Sequence, residues 1–140
     1  MNWKNHKVLV TGGASFIGSH LVDSLIERAL DHFDSVEILV NNAGQLLRLP
    51  VVTLPDGVLE PPKVTRKTDS RTTDEEWRSV MGANLDGVFY CCRAIAPHMI
   101  ERRYGKIINI SSNNATMAFP LVAAYNASKA AVNMLTRVLA

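Results

Sequence analysis

Three short apolar runs, separated by longer segments with helical periodicity, limit this chain of 140 residues to an α/β fold. The runs Lys7–Thr11, Val36–Val40 and Lys106–Ser112 each contain several aliphatic residues and are predicted to be strands. The first is continuous in its apolar residues, as a strand is when both of its faces are covered. Helices are predicted after the first run, from 74 to 103 and from 121 to 140. Because parallel strands need crossover connections, this alternation predicts helices flanking a parallel sheet of about three strands. The length predicts a single domain, residues 1–140.

The composition excludes several classes of partner. The 15 basic and 13 acidic residues give a net charge of +2, which is too balanced to indicate nucleic acid or an anionic membrane surface. No apolar run reaches about 18 residues, so no transmembrane helix is expected, and the N-terminus lacks a signal-peptide core. Cys91 and Cys92 are adjacent, as reduced thiols of a cytoplasmic protein would allow, and no metal-ligand spacing is present.

A glycine-bearing turn joins the first predicted strand to the first predicted helix. Strand, turn and helix in succession form the arrangement that binds a dinucleotide pyrophosphate, because the backbone can approach the phosphates and the helix N-terminus offers free N–H groups. Alone, such a turn is weak evidence. Its candidate cofactor contacts are Gly12, Ser15, Phe16, Ile17 and Gly18.

A tyrosine and a lysine four residues apart form the most suggestive chemical pair. Tyr125 and Lys129 fall on one face of the last predicted helix, about one turn apart. A positive charge beside a phenol favours the phenolate, which lowers a tyrosine pKa from its reference of about 10. Ser112, at the end of the preceding strand, could hold a carbonyl oxygen beside that tyrosine. The alternative is an ordinary surface pair, and i, i+4 pairs of this kind are common.

The segments I-N-I-S-S and Y-N-A-S-K together resemble the active-site segment of the short-chain dehydrogenase/reductase family. In that family the second serine precedes the tyrosine by thirteen positions, as Ser112 precedes Tyr125 here. The resemblance implies that Tyr125 is the general acid/base, that Ser112 binds the substrate oxygen, and that Lys129 lowers the tyrosine pKa and binds the nicotinamide ribose. It also implies that Asn84, in the preceding predicted helix, completes a proton relay.

The cofactor implied by this resemblance is NAD or NADP, held in a Rossmann-like three-layer sandwich. The tetrapeptide N-N-A-G resembles the family motif that braces the sheet and lines the adenosine pocket, which adds Asn41, Ala43 and Gly44 to the cofactor-binding residues. The first ~30 residues resemble instead the extended, sugar-nucleotide-epimerase branch, with Ser15 at a usual glycine position. In the shorter branch Phe16 would occupy such a position. We favour the extended alignment for the turn.

The chain departs from the family between the first helix and N-N-A-G, where members have two further strands and two helices. Here residues 31–35 make the connection, so no residue reads the ribose 2′ position. The family also steps the opposite way across the sheet here, so either the first helix changes face or the 36–40 strand takes the vacated position. Residues 45–71 form a long polar loop, which is either functional or a solvated excursion.

Taken together, these patterns predict an NAD(P)-dependent oxidoreductase that interconverts an alcohol and a ketone or aldehyde. One alternative is a shortened, inactive family member that binds nucleotide or dimerises, because a small sheet has exposed edges. A less favoured alternative is a sugar-nucleotide epimerase or dehydratase. The resemblance covers the first and middle parts of a family member and implies a cytoplasmic homo-oligomer formed through the 74–103 and 121–140 helices.

Overall fold

The computed structural model describes residues 8–11, 19–52 and 71–140, and it confirms the predicted α/β class with a small parallel sheet. Two short helical segments accompany the regular elements, a π-helix at Gly82–Asp86 and a 3₁₀ turn at Asn113–Ala115. The strands and α-helices in chain order are β1 (Val8–Thr11), α1 (Ser19–Phe33), β2 (Ile38–Asn41), α2 (Asp74–Met81), α3 (Gly87–Glu101), β3 (Lys106–Asn109) and α4 (Ala123–Leu139).

Several predicted boundaries shift. β2 begins at Ile38, two residues later than predicted, and β3 ends at Asn109, before Ser112. Helix α4 begins at Ala123 and not at position 121, because Leu121 has a φ of 66°, which is incompatible with a right-handed helix. These are shifts at element ends, where fraying and local caps decide the boundary.

The three strands lie in the order β1-β2-β3 and are all parallel. In this register Leu39 lies opposite Ile107, and Asn41 lies opposite Asn109. Since β2 lies between its two neighbours, it has not taken a position on the far side of β1. Of the two arrangements that the sequence left open, the structure therefore has the one in which the first helix changes face.

The described helices that pack on the sheet all lie on the face that carries Leu39 and Ile107. Val22 and Ile26 of α1 form one core cluster with Ile95 of α3 and with Leu39, and Ile107 packs against it. A second cluster brings α4 against α3, again beside Ile107. Both crossovers step the same way across the sheet and, being right-handed, place their helices on the same face. The described helices α1, α3 and α4 therefore cover one face of the sheet.

The α1–α3 contact is mainly apolar, with a polar margin. Arg93 of α3 lies 3.6 Å from Asp23 of α1, and its guanidinium lies over the rings of Phe89 and Tyr90. Both charged side chains are more than two-fifths exposed, so the ion pair adds little to stability. Among the described helices none is long and apolar enough to cross a membrane.

The segment predicted as one helix from 74 to 103 is interrupted. A capping box between Thr73 and Glu76 starts α2, and the chain then widens into the π-helix before α3. The π-helix closes with the N–H of Gly87 donating to the carbonyl of Gly82, one residue further than in an α-helix. The predicted helix is thus interrupted around Asn84, and α3 then runs without a break through Pro97 to Glu101.

Candidate active site

Asn84 is fully buried in the π-helix, and its side chain joins three parts of the chain. Its Oδ1 accepts from the backbone N–H of Gln45 at 2.6 Å, and its Nδ2 donates to the carbonyl of Gln45 at 3.0 Å. The same Nδ2 donates to Ser128 Oγ at 2.9 Å. One amide therefore fixes the loop that follows β2 against α4 at the carboxyl end of the strands.

Lys129 reaches the carboxyl end of β3 from α4. Its Nζ donates to the carbonyl of Ile110 at 2.8 Å and lies 5.7 Å from the centroid of the Tyr125 ring. The residue is only 4% exposed, and burial lowers the pKa of Lys129 from its ordinary value. The structure thus places an ammonium with one backbone acceptor beside a half-buried phenol.

Gly44, the last residue of the N-N-A-G tetrapeptide, comes close to both Asn84 and Lys129. A Cβ at position 44 would lie 3.5 Å from Asn84 Oδ1 and 3.6 Å from Lys129 Nζ. Ala43 beside it is half-buried. The loop after β2 therefore contributes a backbone surface, without a side chain, next to the polar atoms of the site.

Ser112 is held by its own turn. Its Oγ accepts from the backbone N–H of Asn114 at 3.2 Å and lies 3.1 Å from Asn113 Oδ1, to which it donates. Asn114 Nδ2 in turn donates to Asn126 Oδ1 at 2.8 Å, which ties this turn to the first turns of α4. The hydroxyl of Ser112 is thus fixed relative to the helix that carries Tyr125.

Asn41 differs from Gly44 and Lys129, because its side chain lies on the face of the sheet that packs against α3. It is 3% exposed, and its Nδ2 donates to Asn109 Oδ1 at 2.8 Å and to Cys92 Sγ at 3.5 Å. These contacts brace the sheet against α3. The predicted contacts Gly12, Ser15, Phe16, Ile17 and Gly18 lie outside the described residues.

Sequence reasoning missed Ser128, which links Asn84 to α4. It is fully buried, accepts from Asn84, and donates through Oγ to the carbonyl of Tyr125 at 2.8 Å. Its position three residues after Tyr125, in the same turn as Lys129, is a signal that could have identified it. A small hydroxyl on the buried face of a helix needs a polar partner.

Replacing Asn84 tests whether its amide holds the site together. We expect Asn84→Ala to lower the free energy of unfolding by about 2–3 kcal/mol, because Ser128 and the Gln45 backbone lose buried partners. Urea unfolding measures the loss. Asn133→Ala makes the same chemical change on the half-buried side of α4 and serves as the control. Equal stabilities for the two variants would contradict this role.

Burial of the Lys129 ammonium makes stability depend on pH. Because the pKa of Lys129 is lower in the folded chain, the unfolded chain binds more protons between the two values, and the free energy of unfolding rises with pH there. We expect Lys129→Met to be more stable than wild type at neutral pH, by on the order of 1 kcal/mol, with the difference shrinking toward pH ~10. Chemical denaturation across this range measures it.

The matched control for Lys129→Met is Lys106→Met, which removes an exposed lysine at the start of β3. A stability difference between Lys129→Met and wild type that is constant with pH would show that the folded state does not disfavour the charged amine.

Known proteins are similar to this chain in sequence and in fold. The 3-oxoacyl-[acyl-carrier-protein] reductase of Synechocystis sp. is 33% identical over 96% of this chain and 49% of its own length. The 3beta-hydroxysteroid dehydrogenase 1 of Eggerthella lenta is 38% identical over 85% of this chain and 39% of its own length. The chain thus spans about half, or less, of the length of these curated relatives.

A solved structure is also similar to this chain over part of its length. The crystal structure of a gluconate 5-dehydrogenase from Burkholderia cenocepacia in complex with NADP and tartrate aligns with a TM-score of 0.71 and 36% identity, over 87% of this chain and 41% of that one. The family model described as short chain dehydrogenase matches residues 19–140, beginning with the first residue of α1. The resemblance found in the sequence is confirmed. The chain belongs to the short-chain dehydrogenase family.

Proposed function

We propose that this chain interconverts an alcohol and a ketone or aldehyde by hydride transfer with NAD or NADP, with Tyr125 as general acid/base. The observation that carries the proposal is the pairing of a buried Lys129 ammonium with Tyr125, 5.7 Å from its ring centroid. A charge in a poorly solvated site acts more strongly on a neighbouring phenol than it would in water.

Within this proposal the residues of the chain would have separate catalytic and positioning roles. Tyr125 would give a proton to the carbonyl oxygen in the reductive direction and take it back in the oxidative one. Ser112, held by the turn before α4, would hydrogen-bond the same oxygen. Lys129 would stabilise the phenolate. The hydrogen bonds of Asn84 and Ser128 would hold α4 and the loop after β2 in fixed positions relative to each other. Positioning of this kind is a large part of catalytic power.

The described residues fit the nicotinamide end of the cofactor. Position 44 leaves room, 3.6 Å from Lys129 Nζ, that any side chain would fill, and the Lys129 ammonium can donate to a ribose hydroxyl as well as to Ile110. When bound, the cofactor supplies the hydride, and the protein supplies orientation and electrostatics. The crystal structure of the gluconate 5-dehydrogenase, a complex with NADP and tartrate, supports this assignment.

The test of the proposed function is turnover by wild type and Tyr125→Phe. We expect NADH or NADPH to bind both proteins, seen as enhanced cofactor fluorescence, while Tyr125→Phe loses at least about 100-fold in turnover over a panel of ketones and alcohols. Tyr104→Phe is the control, because Tyr104 is 46% exposed and lies just before β3, at the amino end of the sheet.

Each other outcome has a distinct meaning. Undiminished turnover by Tyr125→Phe would remove the tyrosine from the mechanism. Binding without turnover by wild type would favour the alternative of a nucleotide-binding module. Absence of binding by either dinucleotide at millimolar concentration would end the oxidoreductase proposal.

We further propose a homo-oligomer formed through the 74–103 and 121–140 helices. Large apolar side chains are exposed on both, including Phe89 at 43%, Met134 at 57% and Val138 at 73%. Exposed apolar side chains on two helices that pack together are the kind of surface that a protein–protein interface would bury. The buried Cys91 and Cys92, which form no disulfide, support a reducing, cytoplasmic location within the same proposal.

Sedimentation velocity tests the assembly. We expect the wild type to sediment as a dimer or larger and Met134→Lys to shift it toward monomer, because a charge is disfavoured in an apolar interface. Leu21→Lys, which changes an exposed leucine of α1, is the matched control and should leave the sedimentation unchanged. A monomeric wild type at micromolar concentration would contradict the proposal.

A further inference from the structure

The backbone on either side of Ser112 is tied to helix α4. Before it, Ser111 Oγ donates to the carbonyl of Lys129 at 3.4 Å. After it, Asn114 Nδ2 donates to Asn126 Oδ1 at 2.8 Å. Ser112 lies between these two attachments, so its position relative to α4 is restrained from both directions along the chain.

The hydrogen bonds that run through Asn126 have a fixed direction. Asn126 Nδ2 donates to the carbonyl of Phe119 at 3.0 Å, and a carbonyl can only accept. Asn126 therefore presents Oδ1 to Asn114, which donates through Nδ2 and turns its own Oδ1 toward Ser112. The distance from Ser112 Oγ to Asn114 Oδ1 is 3.3 Å. The terminal carbonyl thus determines the orientation of both amides.

The same residues determine the surroundings of the Ser112 hydroxyl. The backbone N–H of Asn114 donates to Oγ at 3.2 Å, which makes the hydroxyl a stronger donor. Its hydrogen faces the side-chain oxygens of Asn113 and Asn114, at 3.1 and 3.3 Å. Because a hydroxyl hydrogen can rotate about the Cβ–Oγ bond, it can turn from these acceptors to a substrate oxygen while Oγ stays in place.

The bond between the two amides joins Ser112 to the tyrosine that shares its proposed substrate oxygen. Asn126 follows Tyr125 directly in α4, and residues of one helical turn move together. Asn114 belongs to the 3₁₀ turn for which Ser112 is the N-cap. A side-chain hydrogen bond between positions 114 and 126 therefore sets the separation between the hydroxyl of Ser112 and the helix turn that carries the phenol.

We infer that Asn114 and Asn126 are positioning residues for the proposed reaction, which act by fixing the Ser112 hydroxyl relative to the phenol of Tyr125. The inference rests on the proposed function, because it takes Ser112 and Tyr125 as the two groups that bind one substrate oxygen. Misplacing a catalytic group by about 1 Å lowers a reaction rate steeply, so the two amides affect kcat and not cofactor affinity.

Turnover by single variants is the first measurement. We expect Asn114→Ala and Asn126→Ala each to lower kcat by about 10- to 100-fold for a ketone or alcohol that the wild type converts. Dissociation constants for NADH and NADPH should change by less than about twofold, because the contacts of Lys129 are retained. Asn133→Ala, the same substitution two turns further along α4, is the control and should leave kcat unchanged.

Combining each variant with Ser112→Ala separates positioning from a purely structural role. If the asparagines act through the hydroxyl, their removal should lower kcat by no more than about twofold further once the hydroxyl is absent. An asparagine that only stabilises the fold would lower the urea midpoint equally in both backgrounds and leave kcat unchanged.

Two results would overturn the inference and leave the oxidoreductase proposal intact. They are an unchanged kcat in both asparagine variants and a full additional loss of kcat in the Ser112→Ala background. Because Asn114 and Asn126 are replaced separately, a variant that fails to fold leaves the other to decide. If the wild type converted no member of the ketone and alcohol panel, the proposed function would fail and the inference with it.

Discussion

The hydrogen bond from Lys129 Nζ to the carbonyl of Ile110 is the contact on which the rest of the site depends. Lys129 is only 4% exposed, so its ammonium has lost most of its hydration, and one hydrogen bond to a carbonyl compensates only a small part of that loss. The position of that carbonyl is set by the sheet, because the N–H of the same residue, Ile110, donates to the carbonyl of Asn41 at 2.9 Å. A buried charge on α4 is thus anchored to the register between β2 and β3.

The elements themselves were accessible from sequence, because they follow from periodicity and local chemistry. Three kinds of local feature determine the structure of the residues around them. They are the apolar runs of strand length, the capping box at Thr73 and Glu76, and the i, i+4 pair Tyr125–Lys129. The disturbance around Asn84 was also visible, because asparagine and glycine are unfavourable inside a helix. Its form, a π-helix, was not, since one extra residue per turn leaves no compositional mark.

What could not be predicted is non-local. Whether α1 lies with α3 or across the sheet from it depends on the order of the strands, and a four-residue strand carries no information about its neighbours. Similarly, Ser128 is an unremarkable helical serine until Asn84, 44 positions earlier, is placed beside it. The candidate catalytic residues Ser112, Tyr125 and Lys129 were identified by their spacing in a family motif. A residue that positions them, such as Ser128, was recognised only from its contacts in the folded structure.

The π-helix between α2 and α3 has a further consequence for how this chain tolerates change. In a regular helix each residue advances the rotation by about 100°, so an inserted residue shifts the rotational phase of everything beyond it. The five residues Gly82–Asp86 take up such an insertion between Val80, buried on α2, and Val88, buried on α3. Removing one of them would place the two valines seven positions apart, a rotation of about 700°, so that a continuous α-helix could form with both apolar stripes still on one face. The extra residue is therefore not needed to pack the two helices, and it lies in the stretch of backbone that carries the buried Asn84.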